Sequence, residues 1–170
     1  HPDNVAAAIY GNANIAWQES QRGRVVAQSL NIEVDPRIGV LAFVPAHELS
    51  TSKARKMLPE SIPHIDAVRN SINTAVLVQA LQHRPDLLLS ATEDFLHQSY
   101  RQEAMQQSFN LMSKFRNAGV AAFISGAGPT VLVLHTGGES EAAELAHAAG
   151  DKFQMLSLGV SRTGVAVVTA

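Results

Sequence analysis

The chain has 170 residues, of which 46% are hydrophobic and none is cysteine, and its formal net charge is -2. Such a composition suits a packed domain and excludes a disordered chain. The charge leaves no footprint for nucleic acid or an anionic membrane, no apolar run nears the roughly 20 residues of a membrane helix, and disulfides and thiolate metal sites are excluded. A cytoplasmic location is compatible with the lack of cysteine.

Asp3 can cap a short helix carrying Val5, Ala6, Ala8 and Ile9, with Gly11 as its stop. Beginning at His1 without a methionine, this helix has little before it to pack on, so the chain is expected to be part of a longer protein. Asn14–Glu19 and Arg24–Leu30 read as a hairpin. Ile38–Val44 is almost wholly apolar and reads as a central strand covered on both faces. Lys53–Leu58 is a short helix between Ser50-Thr51 and Pro59.

His64–His83 is the longest helical segment. Ile65, Val68, Ile72, Ala75 and Val76 form one apolar stripe, widened by Leu77 and Leu81, which predicts a well-buried helix. Leu87–Phe95 and Glu103–Asn117 are further helices, the latter with Met105, Phe109, Met112 and Phe115 on one face and Gly119 as its stop. Val120–Ile124 and Val131–Leu134 are short β-branched strands around the loop Ser125-Gly126-Ala127-Gly128-Pro129-Thr130. That loop is longer than a two-residue hairpin turn and carries no bulky side chain from Ser125 to Gly128, which lets another group approach its backbone. Glu141–Ala149 is a helix, and Phe153–Leu158 and Gly164–Thr169 are closing strands. The pattern is α+β, with a mostly antiparallel sheet, helices on one face and a split βαβ, ferredoxin-like unit.

The seven histidines show no helical metal-site spacing, and no Walker lysine motif or G-x-S-x-G elbow is present. His1 stands out only for its polar neighbours Pro2-Asp3-Asn4. Arg55 lies in the short helix before Pro59, Arg69 in the long buried-looking helix next to Asn70, and Arg101 after a segment rich in polar groups. An arginine fork suits a carboxylate, and a solvated surface arginine is the competing reading.

Four blocks occur in one order: His1-Pro2-Asp3-Asn4-Val5-Ala6, Thr51-x-x-Ala54-Arg55-x-x-Leu58-Pro59, Asp94-x-Leu96-His97-Gln98-x-Tyr100-Arg101 and Ser125-Gly126-Ala127-Gly128-Pro129-Thr130. Together they resemble the homoserine kinase family of the GHMP small-molecule kinase superfamily. The resemblance covers essentially the whole chain but only the C-terminal half, or slightly more, of such an enzyme. The family's upstream phosphate loop, of the type P-x-x-x-G-L-G-S-S-A, has no match in this sequence.

The resemblance implies a ferredoxin-like C-terminal GHMP-kinase domain over residues 35–170, preceded by a remnant of the N-terminal nucleotide and substrate domain over residues 1–34. It implies that His1, Asp3 and Asn4 wall the homoserine pocket, that Arg55 and Arg101 hold the amino acid's carboxylate, and that Thr130 adds a hydroxyl near the substrate. Ser125, Gly126, Ala127 and Gly128 would support the phosphate loop. No catalytic base and no metal ligand is assigned. ATP and Mg2+ are the implied cofactors, both held mainly by the upstream part. L-homoserine and ATP are the implied ligands of a homodimer, with the chain inactive alone. Another kinase of the superfamily, or a non-catalytic ferredoxin-like ligand-binding or oligomerisation module, are the competing readings.

Overall fold

The structure is a computed structural model that describes residues 2–166, the Asn4 side chain excepted. Helix α1 spans Pro2–Tyr10 and stops at Gly11, whose φ of 67° is the left-handed conformation glycine adopts without strain. Strands β1 (Ala13–Gln21) and β2 (Arg24–Ile32) form the hairpin. Its turn is tighter than the sequence suggests. Arg22 and Gly23 both have positive φ, as a two-residue turn of the mirror-image type requires.

Strand β3 (Gly39–Pro45) is central, as expected. With β4 (Ala121–Ile124), β5 (Val131–His135) and β6 (Phe153–Leu158) it makes a sheet of order β4-β5-β3-β6, antiparallel throughout. Between β3 and β4 run α2 (Thr51–Lys56), α3 (His64–Gln82), α4 (Leu88–Ala91) and α5 (Gln106–Asn117), and α6 (Gly138–Ala149) joins β5 to β6. This is the ferredoxin-like order for two interleaved βαβ units.

The main core lies between one sheet face and the helices α5 and α6. Leu41, Phe43, Ala122, Ile124, Val131 and Val133 point to that face and meet Met105, Leu111, Met112, Phe115 and Leu145. Phe43 and Phe115 stack tilted, 5.3 Å between ring centres. Full burial of such side chains stabilises by about 1.5–3 kcal/mol each, so this layer fixes the register of the sheet.

Helix α3 departs from expectation in two ways. It does not share the face of α5: Val76, Leu77, Ala80 and Leu81 pack with Val34, Ile38, Leu88 and Ala91 on Ala121 and Leu134, whose side chains have the opposite parity to Ala122 and Val133. Nor is it well buried. Ile65 and Ile72 are each 56% exposed and Val68 39%. The stripe exists, but only its C-terminal turns find partners within the described residues.

The segment expected as a helix over Leu87–Phe95 is shorter, a 3-10 turn at Pro85–Leu87 followed by α4, and another 3-10 segment, Ser99–Met105, leads into α5. Arg116 pins this region. Half-buried, it donates to Thr92 Oγ1 and to the carbonyls of Leu89 and Ala122, and burial lowers its pKa from the ordinary arginine value. The last expected strand is not formed over Gly164–Ala166, where a Cβ on Gly164 would overlap the Ile9 carbonyl; the rest of it, 167–169, lies outside the described residues. Among the described residues no helix is long and apolar enough to cross a membrane.

Candidate active site

A cleft of ≈ 660 Å³ opens between α2, α3, the segment Ala91–Arg101 and the loop after β4. Each wall has a local cause. Ser50 caps α2 by accepting the Lys53 N–H at 3.3 Å, and fully buried Ala54 anchors that helix, so Thr51 and Arg55 reach the cleft. Asn70 and Asn73 of α3 hold the opposite strand of chain: Asn70 Oδ1 accepts from Phe95 N at 3.1 Å and Asn73 Nδ2 donates to Glu93 O at 3.0 Å.

Asp94 organises the next turn. Its carboxylate accepts the N–H groups of Leu96, His97 and Gln98, the last at 2.6 Å, and lies 3.1 Å from His97 Nδ1. With its lone pairs so used, Asp94 acts as a loop organiser. The turn delivers Gln98 and Arg101, both more than nine-tenths buried, to the mouth of the loop. Arg101 donates from Nε to Ala54 O at 3.3 Å and from Nη1 to Gly126 O at 3.0 Å, tying α2 to the loop.

The loop from Ser125 to Thr130 closes on itself. Ser125 N donates to Thr130 O, and Gly128 N to Ser125 O, each at 2.9 Å. Gly126 and Gly128 have φ of 56° and 84°, and the Gly128–Pro129 peptide is cis. A Cβ on Gly126 would meet nothing within 4 Å, whereas one on Gly128 would sit 2.8 Å from Met105 and 3.0 Å from Ile124 Cγ2. The N–H groups of Gly126 and Ala127 have no acceptor among the described residues. Gly128→Ala is therefore expected to cost about 1–2 kcal/mol for the left-handed backbone alone, visible as a lower denaturant midpoint. Gly126→Ala meets the same backbone penalty without the contact with Met105, so it should cost less.

Of the residues singled out in the sequence, Asp3, Arg55, Arg101, Gly126 and Ala127 line this cleft. Ser125, Gly128 and Thr130 build the loop but are not among the lining residues. His1 lies outside the described residues, as does the Asn4 side chain. Arg55 is exposed, and no carboxylate pairs with Arg55 or Arg101 among the described residues. Arg69 belongs elsewhere, 3.8 Å from Asp66 and over the Phe95 ring. Asn70 and Asn73 also line the cleft and carried no signal in the sequence, and Gln98, which lines it too, stood in the third block without a role of its own.

Residues 77–154 match the model of the family described as GHMP kinases C terminal. Over those residues the chain is similar to a GHMP kinase C-terminal domain. The matched span holds Gln98, Arg101 and the glycine loop, while Asp3 and Arg55 come from sequence before it. Homoserine kinase from Streptomyces avermitilis is 42% identical over 168 residues, covering 99% of this chain and 53% of that protein. Homoserine kinase from Mycolicibacterium vanbaalenii is 44% identical over 174 residues, covering 99% and 55%. A crystal structure of homoserine kinase from Cytophaga hutchinsonii superposes with a TM-score of 0.75 over 96% of this chain and 53% of that one; at 22% identity it shows a common fold. The chain spans about half the length of the curated relatives it matches.

ATP and magnesium make separate demands on these residues. The open N–H groups of Gly126 and Ala127 suit a phosphate oxygen. No group of three or more His, Cys, Asp or Glu residues able to hold a metal exists among the described residues. The residues present thus fit one side of a phosphate, and a magnesium ion here would have to rely on one or two carboxylates together with phosphate oxygens.

Proposed function

We propose that this chain is the substrate-carboxylate half of a homoserine kinase, which moves the γ-phosphoryl group of ATP to the side-chain hydroxyl of L-homoserine and yields O-phospho-L-homoserine for threonine synthesis. The observation that carries this reading is the placement of Arg55 and Arg101, without partner carboxylates, on one cleft beside the open N–H groups of Gly126 and Ala127. Forked cations suit the amino acid's carboxylate, and the loop supports the phosphate being transferred. Asp3 and Glu93 on the same cleft suit the ammonium group.

In this reading Asp3, with His1 and Asn4, walls the homoserine site. Ser125, Gly128 and Thr130 shape the loop that presents Gly126 and Ala127. Phosphoryl transfer is accomplished by positioning and charge stabilisation, so no side chain of the chain is asked to form a covalent intermediate. Residues 1–34 are assigned to the nucleotide-side domain and 35–170 to the GHMP domain, with ATP and Mg2+ held mainly by sequence outside this chain. A cytoplasmic homodimer belongs to the same reading. The experiment is to incubate the full-length protein with ATP, Mg2+ and L-homoserine and follow phosphorus resonance signals. A new phosphomonoester that depends on homoserine is expected. Its absence with folded protein would remove the reading.

A further inference from the structure

The far side of the cleft holds a second pair of contacts on the glycine loop. Gln98 is 8% exposed, and its Oε1 accepts the backbone N–H of Ile124, the last residue of β4, at 2.5 Å. Two residues on, Gly126 O accepts from Arg101 Nη1. Gln98 caps the 3-10 segment Ser99–Met105, in which Arg101 lies three residues further on, and Arg101 N donates to Gln98 O at 3.2 Å, the spacing that brings two side chains to one face of such a segment. The backbone entering the loop is thus gripped at Ile124 N by an acceptor and at Gly126 O by a donor. The Gln98 amide also lies on the cleft, and its Nε2 is not among the sealed polar atoms without a partner.

We infer that Gln98 is a positioning residue for phosphoryl transfer: its Oε1, by holding Ile124 N–H, sets where the open N–H groups of Gly126 and Ala127 sit. This rests on the proposed homoserine kinase reading. The role needs only an acceptor at the Oε1 position. Gln98→Glu keeps that acceptor and puts its second oxygen toward the water of the cleft. Gln98→Met removes the acceptor at similar volume, and Gln98→Asn draws it back by one methylene, out of reach of Ile124 N.

The test uses the full-length protein. In Gln98→Met and Gln98→Asn, kcat is expected to fall about 10- to 100-fold, as a misplacement near 1 Å does, with the ATP KM little changed. Gln98→Glu should recover at least tenfold of that loss. Hydrogen exchange at the Ile124 amide reads the contact without any substrate: protection should be kept in Gln98→Glu and lost in Gln98→Asn. Should Gln98→Met fail to fold, the Glu and Asn variants carry the comparison. An unchanged kcat in Gln98→Asn, or an equal loss in Gln98→Glu, would overturn the inference. Retained exchange behaviour in a protein that never phosphorylates homoserine would instead count against the homoserine kinase reading and leave the loop contact standing.

Discussion

Arg55→Ala should raise the homoserine KM of the full-length enzyme about 10- to 100-fold while the ATP KM stays put. The change removes one charge-assisted contact to the substrate, worth about 1.5–3 kcal/mol, and none to the nucleotide. Arg55 is exposed and makes no ion pair among the described residues, so its loss should leave stability within about 0.5 kcal/mol of wild type. Arg101→Ala should behave differently. It removes the same kind of contact and also strips the donors from the carbonyls of Ala54 and Gly126. A buried acceptor left unsatisfied costs about 1–3 kcal/mol. Lower stability and lower kcat should therefore accompany the raised KM. Steady-state kinetics and denaturant titration of the two variants, measured together, check the distinction. A homoserine KM unchanged in both would remove the carboxylate assignment.

The second large effect concerns the 170 residues alone. No ATP-dependent phosphorylation of homoserine is expected from them, because the sequence has no match to the family's phosphate loop. The exposed apolar side chains point the same way. Val5, Ile9, Ile15 and Trp17 are 55%, 45%, 38% and 43% exposed, on α1 and the hairpin. Exposed large apolar side chains favour association. Sedimentation of the isolated chain should show concentration-dependent self-association that weakens when Val5, Ile9 and Trp17 are replaced by polar residues. Turnover by a pure sample of the isolated chain would contradict the expectation.

How much of this was legible in the sequence depended on how local the cause was. The β4–loop–β5 unit was readable because two β-branched runs flank a stretch of small residues, and both signals lie within 15 positions. The stops at Gly11 and Gly119 were readable because a left-handed residue after a helix selects glycine. Helix α3 was readable as a helix but not in its surroundings: periodicity says which face is apolar and is silent on what covers it. Ile65, Val68 and Ile72 lie on the expected stripe and remain exposed. Arg101 was noticed for its charge. Its two carbonyl partners lie 47 and 25 residues away and leave no trace in local pattern. The same holds for Gln98 and Arg116, whose partners Ile124, Thr92 and Leu89 are distant in the chain. Gln98 belongs to the third block but gives no hint there of the strand it touches, and Asn70 and Asn73 look like the polar side of a surface helix.

In the proposed function the cleft recognises an amino-acid carboxylate next to the hydroxyl being phosphorylated. The most direct measurement is the ratio of kcat/KM for L-homoserine to that for its carboxamide, in the full-length wild type and in Arg55→Ala. The wild type should prefer homoserine by at least tenfold, since losing the carboxylate forfeits charge-assisted contacts, and Arg55→Ala should shrink that preference toward unity. Equal kcat/KM for the acid and the amide in the wild type, or a preference untouched by Arg55→Ala, would contradict it.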